Sequence, residues 1–180
     1  MRKFTFRQLA VSGLVCLSLS CLQPAVAAPS VQVGFSPEGS ALQLVLKTIE
    51  SAQHDIRLMG YSFTSPEVVG ALVRAKHRGV DVKIVLDEKG NRSKTSQAAM
   101  NVVVNTGIPL RTNGHYAIMH DKVIIIDNHI VEAGSFNYTR SAASRNSENV
   151  LVIEVPEVAQ TYLQHWQSRW DGGTEWHSSY

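Results

Sequence analysis

Apolar and polar residues alternate along this chain with two different periods, and the switches between them mark its elements. Val31, Val33 and Phe35 alternate with polar neighbours and predict a short strand ended by Ser36 and Pro37. Leu42, Val45, Leu46 and Ile49 fall at i, i+3, i+4 and i+7, the buried stripe of a helix starting near Ser36 or Glu38. Residues 56–63 read as a strand with its following loop. Ser65, Pro66 and Glu67 supply an N-cap, a first-turn proline and an early acid for a second helix, with Val69, Leu72 and Val73 on its inner face and Gly79 at its close. A strand over 80–86 comes next.

Residues 87–97 are polar and carry Lys89, Arg92 and Lys94, a cationic cluster that suits a solvated loop or contact with a polyanion equally well. A helix over 96–105 is stopped by Gly107, Ile108 and Pro109. Two apolar runs, 122–126 and 129–133, meet at Asp127-Asn128 and predict a hairpin. A strand over 150–155 leads to Pro156, which opens a last helix bearing Val158, Tyr162, Trp166 and Trp170 on one stripe before Gly172-Gly173. At helical spacing the two tryptophans belong to a core rather than to a base-stacking surface. Helices alternating with strands predict an α/β domain, a layered α/β/α arrangement with a central mixed β-sheet.

The first residues have a different logic. Arg2, Lys3 and Arg7 precede an acid-free apolar run over 9–22, too short to cross a bilayer comfortably, and Ala25-Val26-Ala27-Ala28 follows. Residues 1–27 therefore read as a secretory signal peptide and 28–180 as one catalytic domain, secreted and periplasmic, without stable membrane association after cleavage. This changes the electrostatic picture. The whole chain has 17 basic and 15 acidic residues, a net +2, but loss of three cations leaves the mature protein at −1. Any attraction for a polyanion must then be local. Both cysteines, Cys16 and Cys21, lie in the apolar run, so neither disulfides nor Cys-ligated zinc hold the mature fold.

Candidate chemistry is concentrated between His120 and Asn137, where HDKVIIIDNHIVEAGSFN fits H-x-K-x4-D-x6-G-S-x-N with His120, Lys122, Asp127, Gly134, Ser135 and Asn137 in the fixed places. Six fixed positions coincide by chance on the order of a few times in a million, so the match is a signal. On a strand, His120 and Lys122 project to one side and Asp121 and Val123 to the other. Asp127 has the opposite parity to Lys122, and a structural role is expected of it, accepting hydrogen bonds near the hairpin turn. Gly134 would let backbone approach an anion, while Ser135 and Asn137 would offer hydroxyl and amide donors beside Lys122 as a phosphate clamp. A fixed ammonium and amide stabilise the charge that gathers on the nonbridging oxygens as phosphorus becomes five-coordinate. His120 is the candidate nucleophile, attacking phosphorus to give a phosphohistidine. One imidazole cannot also protonate the alkoxide leaving from the opposite side, so a second is required.

The motif resembles that of the phospholipase D superfamily. The short length, single motif copy and leader are most similar to its small secreted endonucleases of the Nuc type. Tyr61 with its neighbours 60–69, the segment 78–87 and Glu148-Asn149 extend the resemblance to about residues 30–170. It implies a homodimer in which two chains each supply His120, Lys122 and Asn137 to one site. By analogy it also offers Glu148 as the acid that orients His120, with a surface salt bridge as the rival reading. The loop at Tyr61, Ser62 and Phe63 borders the site or caps the sheet.

No cofactor or metal is expected. His115, His120 and Asp121 are close in sequence, but no H-E-x-x-H or facial-triad spacing appears. The reading that follows is a metal-independent phosphodiesterase cutting DNA, and possibly RNA. Its alternatives are a phospholipase D-type hydrolase of phosphatidyl lipids, or a noncatalytic nucleic-acid-binding dimer. Lys89, Arg92, Lys94, Arg111 and Arg140 are candidate substrate guides.

Overall fold

The computed structural model describes residues 29–179, so the expected signal segment and both cysteines lie outside the described residues. The chain runs β1 (Ser30–Ser36), α1 (Ser40–Ser51), β2 (Asp55–Gly60), α2 (Pro66–His77), β3 (Asp81–Asp87), a 3-10 turn at Lys89–Asn91, and α3 (Lys94–Asn105). It continues through β4 (Leu110–Asn113), β5 (Lys122–Ile126), β6 (Ile130–Gly134), α4 (Arg140–Ser144), β7 (Glu148–Glu154), α5 (Pro156–Asp171) and β8 (Thr174–Glu175). The strands form one mixed sheet in the order β1-β7-β6-β5-β2-β3-β4-β8. β2, β3 and β4 are parallel, joined by the crossover helices α2 and α3, and the other pairings are antiparallel. This is the layered α/β/α arrangement expected.

Alternation along the central strands divides the core in two. Ile56, Leu58, Val82, Ile84, Leu86, Ile124 and Ile126 face α1, α2 and α3, while Met59, Val85, Val123, Ile125 and Val131 face α5. Trp166 of α5 is buried, donates its Nε1–H to the carbonyl of Leu58 at 2.9 Å and stacks on Trp170. A satisfied indole in that setting is core; truncation to alanine would cost about 3–5 kcal/mol.

Local signals held at α2, where Ser65 Oγ accepts from the backbone N–H of Val68 and Pro66 opens the helix. They failed at α1. Its N-cap is Gly39 in a left-handed conformation, not Ser36 or Glu38, and Ser40 Oγ instead bonds both backbone groups of Phe35. Its buried side is Ala41, Leu44, Val45, Thr48 and Ile49, rotated from the expected stripe, with Leu42 and Leu46 only partly covered. In β1 the apolar residues point outward: Val31, Val33 and Phe35 are 61%, 50% and 53% exposed, whereas Gly34 and Ser36 are buried. Periodicity alone does not announce β4, the two-residue β8 or the five-residue α4.

Glu132 of β6 is fully buried on the α1–α3 side. One carboxyl oxygen accepts the Tyr138 hydroxyl at 2.8 Å and the other has no partner among the described residues. Burial pushes its pKa from 4.5 to about 8. Between those values the unfolded chain releases a proton that the folded protein keeps, so this group's contribution to stability falls as pH rises through the window and levels off above it. Glu132→Gln is therefore expected to gain stability relative to wild type progressively from pH 5 to pH 8, measured as the difference in urea unfolding free energy. A pH-independent difference would contradict the assignment.

Candidate active site

Antiparallel β5 lies beside β2 with Lys122 opposite Gly60, so the start of β5 meets the carboxyl ends of β2 and β3. There His120, Lys122, Gly134, Ser135, Asn137 and Glu148 line one cleft of about 420 Å³. His120 comes from the loop that enters β5, Lys122, Gly134 and Glu148 from β5, β6 and β7, and Ser135 and Asn137 from the turn after β6.

Lys122 is only 6% exposed, and its ammonium donates to the carbonyl oxygen of His120 at 2.7 Å. Burial pulls its pKa down, and the charges of Asp121 and Glu148 partly restore it. His120 itself is exposed, and its imidazole has no hydrogen-bond partner among the described residues. It rests on Tyr61, ring centroids 4.8 Å apart and planes 60° apart, while Lys122 Nζ sits 5.4 Å from the Tyr61 centroid. The Tyr61 loop thus borders the site. Asp121 turns the other way, as strand alternation requires, and meets His165 of α5 at 3.1 Å.

Three expectations need correction. Glu148 does not reach His120: its carboxylate accepts from Ser135 Oγ at 2.5 Å and from Asn146 Nδ2 at 2.9 Å. Nor does it form a salt bridge among the described residues. The hydroxyl of Ser135 is accordingly engaged, donating to Glu148 and accepting from the N–H of Asn149, so it holds the loop instead of standing free as a phosphate donor. Gly134 is small for a neighbouring strand, because a Cβ there would overlap the carbonyl oxygen of Asn149 in β7. Asn137 keeps its amide in the cleft, with a buried Oδ1 that has no partner among the described residues.

Asp127 follows the far end of β5 and does not line the cleft; it takes the hydrogen-bonding role near the turn expected of it. In the hairpin turn Asp127 and Asn128 have φ of 49° and 59°, and the N–H of His129 closes on Ile126. The Asp127 carboxylate accepts backbone N–H bonds from Gln53, His54 and Asp55 at 2.9, 2.7 and 2.9 Å. Although burial alone pushes this carboxyl up, those donors hold its pKa below the ordinary value.

Among the candidate guides, Lys89 is tied to the carbonyls of Tyr116 and Ala117, Arg92 pairs with Glu88, and Arg111 packs on the Trp170 ring. His115 lies edge-on to Tyr116, away from Asp121, and among the described residues no three His, Cys, Asp or Glu side chains gather as for a metal. No helix among them is long and apolar enough to cross a membrane.

An imidazole beside a buried ammonium, at the end of a mixed sheet, equips a protein to cleave phosphodiesters. Comparison with known proteins gives this class its family. The profile described as "Cardiolipin synthase, PLD-like domain" matches residues 45–170. A "Phospholipase D" of Rickettsia typhi is 36% identical over 152 residues, covering 81% of this chain and 71% of the relative. Among solved structures, Nuc of Salmonella typhimurium, a phospholipase D family member, matches with a TM-score of 0.83 and 58% identity over 84% of this chain and all of that one. NucT of Helicobacter pylori shares the fold, with a TM-score of 0.76, 23% identity, and coverage of 83% of this chain and all of that one. The chain belongs to the phospholipase D superfamily and is one of its phosphodiesterases.

Asp127→Ala strands three backbone donors without touching the cleft. It is expected to lower stability by about 2 kcal/mol in urea titration while activity per folded molecule stays at the wild-type level. A specific loss of turnover in folded protein would return Asp127 to the chemistry.

Proposed function

We propose that this protein is an exported, metal-independent endonuclease that cleaves DNA, and RNA, through a phosphohistidine on His120, in a site completed by a second copy of the chain. The observation that carries the reading is the convergence of His120, Lys122 and Asn137 in a cleft lined only by polar residues and glycine. Such a lining presents donors to the charged oxygens of a phosphodiester. The 58% identity to Nuc, with the resemblance to secreted endonucleases of that type, supports the same substrate class. The leader pattern at 1–27 supports export to the periplasm.

In this mechanism a neutral imidazole nitrogen of His120 attacks phosphorus, and the bond to the leaving oxygen breaks. The partner subunit's His120, protonated, gives that oxygen its proton. The same imidazole then takes a proton from water, whose oxygen displaces His120 from phosphorus and regenerates it. Lys122 and Asn137 stabilise the five-coordinate states from fixed positions.

One chain supplies only one such imidazole, and a second observation supports pairing. Val31, Val33 and Phe35 form an exposed apolar row on β1, beside the partly buried Leu151 and Ile153 of β7. Phe35 pairs with Asn149, next in sequence to the cleft residue Glu148. A self-complementary apolar patch at the rim of a half-complete site suits a two-fold contact.

Two experiments test this reading. Purified protein in EDTA should degrade plasmid and RNA but leave phosphatidylcholine vesicles intact. Quenched turnover of 32P-labelled DNA should label His120, and His120→Ala should lose about three orders of magnitude or more of activity. Lipid release would select the phospholipase alternative, and binding without cleavage the noncatalytic one. Separately, Phe35→Asp should move the protein from dimer to monomer in sedimentation and cut activity at least tenfold, on the order expected for losing an interface anchor. A fully active monomer would end the shared-site mechanism.

A further inference from the structure

The only ring contact of His120 among the described residues is with Tyr61, and the surroundings of Tyr61 are built more rigidly than a loop bordering a cleft requires. Tyr61 follows Gly60, the β2 residue paired with Lys122, so it stands beside the entry to β5. Beneath it lies Gly90. A Cβ at that position would come within 2.6 Å of the Tyr61 carbonyl oxygen and 3.0 and 3.2 Å of its ring carbons Cε2 and Cδ2. The ring therefore occupies the space that a side chain at residue 90 would need.

Asn91 closes the other side. It is 2% exposed, donates to the carbonyls of Tyr61 at 2.7 Å and Asp87 at 2.8 Å, and accepts the N–H of Phe63 at 3.0 Å. Asp87, equally buried, accepts the N–H of Gly90 at 2.6 Å and that of Met119, the residue before His120, at 2.7 Å. Two buried polar side chains thus tie three segments together: the exit of β2, the exit of β3 and the approach to β5. Satisfied networks of this kind hold their members in one arrangement, because breaking any bond leaves a buried group unpaired.

We propose that Tyr61 is a positioning residue of the site, an aromatic stop that fixes the imidazole of His120 and covers the ammonium of Lys122, and that Gly90 and Asn91 hold it there. The inference rests on the reading of His120 as the nucleophile. An in-line attack needs the imidazole nitrogen at a set distance and angle from phosphorus, and an exposed histidine without a hydrogen-bond partner has two free side-chain torsions. Edge-to-face contact with Tyr61 limits both. The π face near Lys122 also favours its cationic form, opposing the effect of burial.

The test uses the full mature chain with a fluorescently labelled oligodeoxynucleotide, comparing wild type with Tyr61→Leu, Tyr61→Phe, Gly90→Ala and His120→Ala. Tyr61→Leu and Gly90→Ala are expected to lower kcat by about tenfold to a hundredfold with KM within about twofold, because misplacement of a reacting group acts on the chemical step. Tyr61→Phe, which keeps the ring, should restore kcat to within about twofold. In NMR spectra the His120 ring protons of wild type and Tyr61→Phe should carry a ring-current shift that Tyr61→Leu loses. A Tyr61→Leu protein with wild-type kcat, or one that raises KM alone as a base-stacking residue would, overturns the inference. If Tyr61→Leu does not fold, Gly90→Ala, which displaces the ring without removing it, decides by the same two readouts. Failure of the underlying reading looks different: His120→Ala would then keep wild-type turnover, whereas failure of this inference alone leaves His120→Ala inactive and Tyr61→Leu fast.

Discussion

The seating of β5 antiparallel against β2 is the constraint from which the rest of the site follows. It brings Lys122 opposite Gly60 and sets a reversed strand beside the parallel trio β2, β3 and β4. Ligands of open α/β sheets are held outside the carboxyl ends of parallel strands. Reversing β5 lets its first residues reach that edge, so the motif enters the cleft at its start while its other end serves the hairpin. The motif residues around β5 thereby divide: His120 and Lys122 at its entry belong to the cleft, and Asp127 at its exit to the hairpin.

Burial of Lys122 sets the electrostatic character of the cleft. A buried ammonium is costly unless it is paired or hydrogen-bonded, and here the His120 carbonyl, the Tyr61 ring and the charges of Asp121 and Glu148 share that work. None of these partners is a close carboxylate that would cancel the charge. The ammonium thus remains available to an incoming phosphodiester, and the near balance of 17 basic and 15 acidic residues over the whole chain matters less than this single desolvated cation.

Local grammar made much of the molecule legible. Ser65-Pro66-Glu67 reads correctly as a helix start because a cap involves neighbours in sequence, and Asp127-Asn128 reads as a tight turn for the same reason. The motif reads as a unit because strand alternation fixes which side chains travel together. What sequence could not give depends on distant segments. Asn91 grips Tyr61 from 30 residues away, and Glu148 meets Ser135 through the β6–β7 pairing, which no periodicity encodes. The outward row of β1 escaped for a related reason: alternation identifies two faces but does not say which one α1 covers.

That outward row has a consequence for the folding of the chain. Among the described residues β1 is the terminal strand of the sheet, so its outer rim has no strand partner, Ser40 satisfying only the groups of Phe35, while three large apolar side chains stand beside it. A newly folded chain is thus a template for adding foreign strands, which opens a route to aggregation. Yield on refolding should accordingly be governed by chain concentration and by how quickly this rim is shielded, rather than by the intrinsic stability of the core.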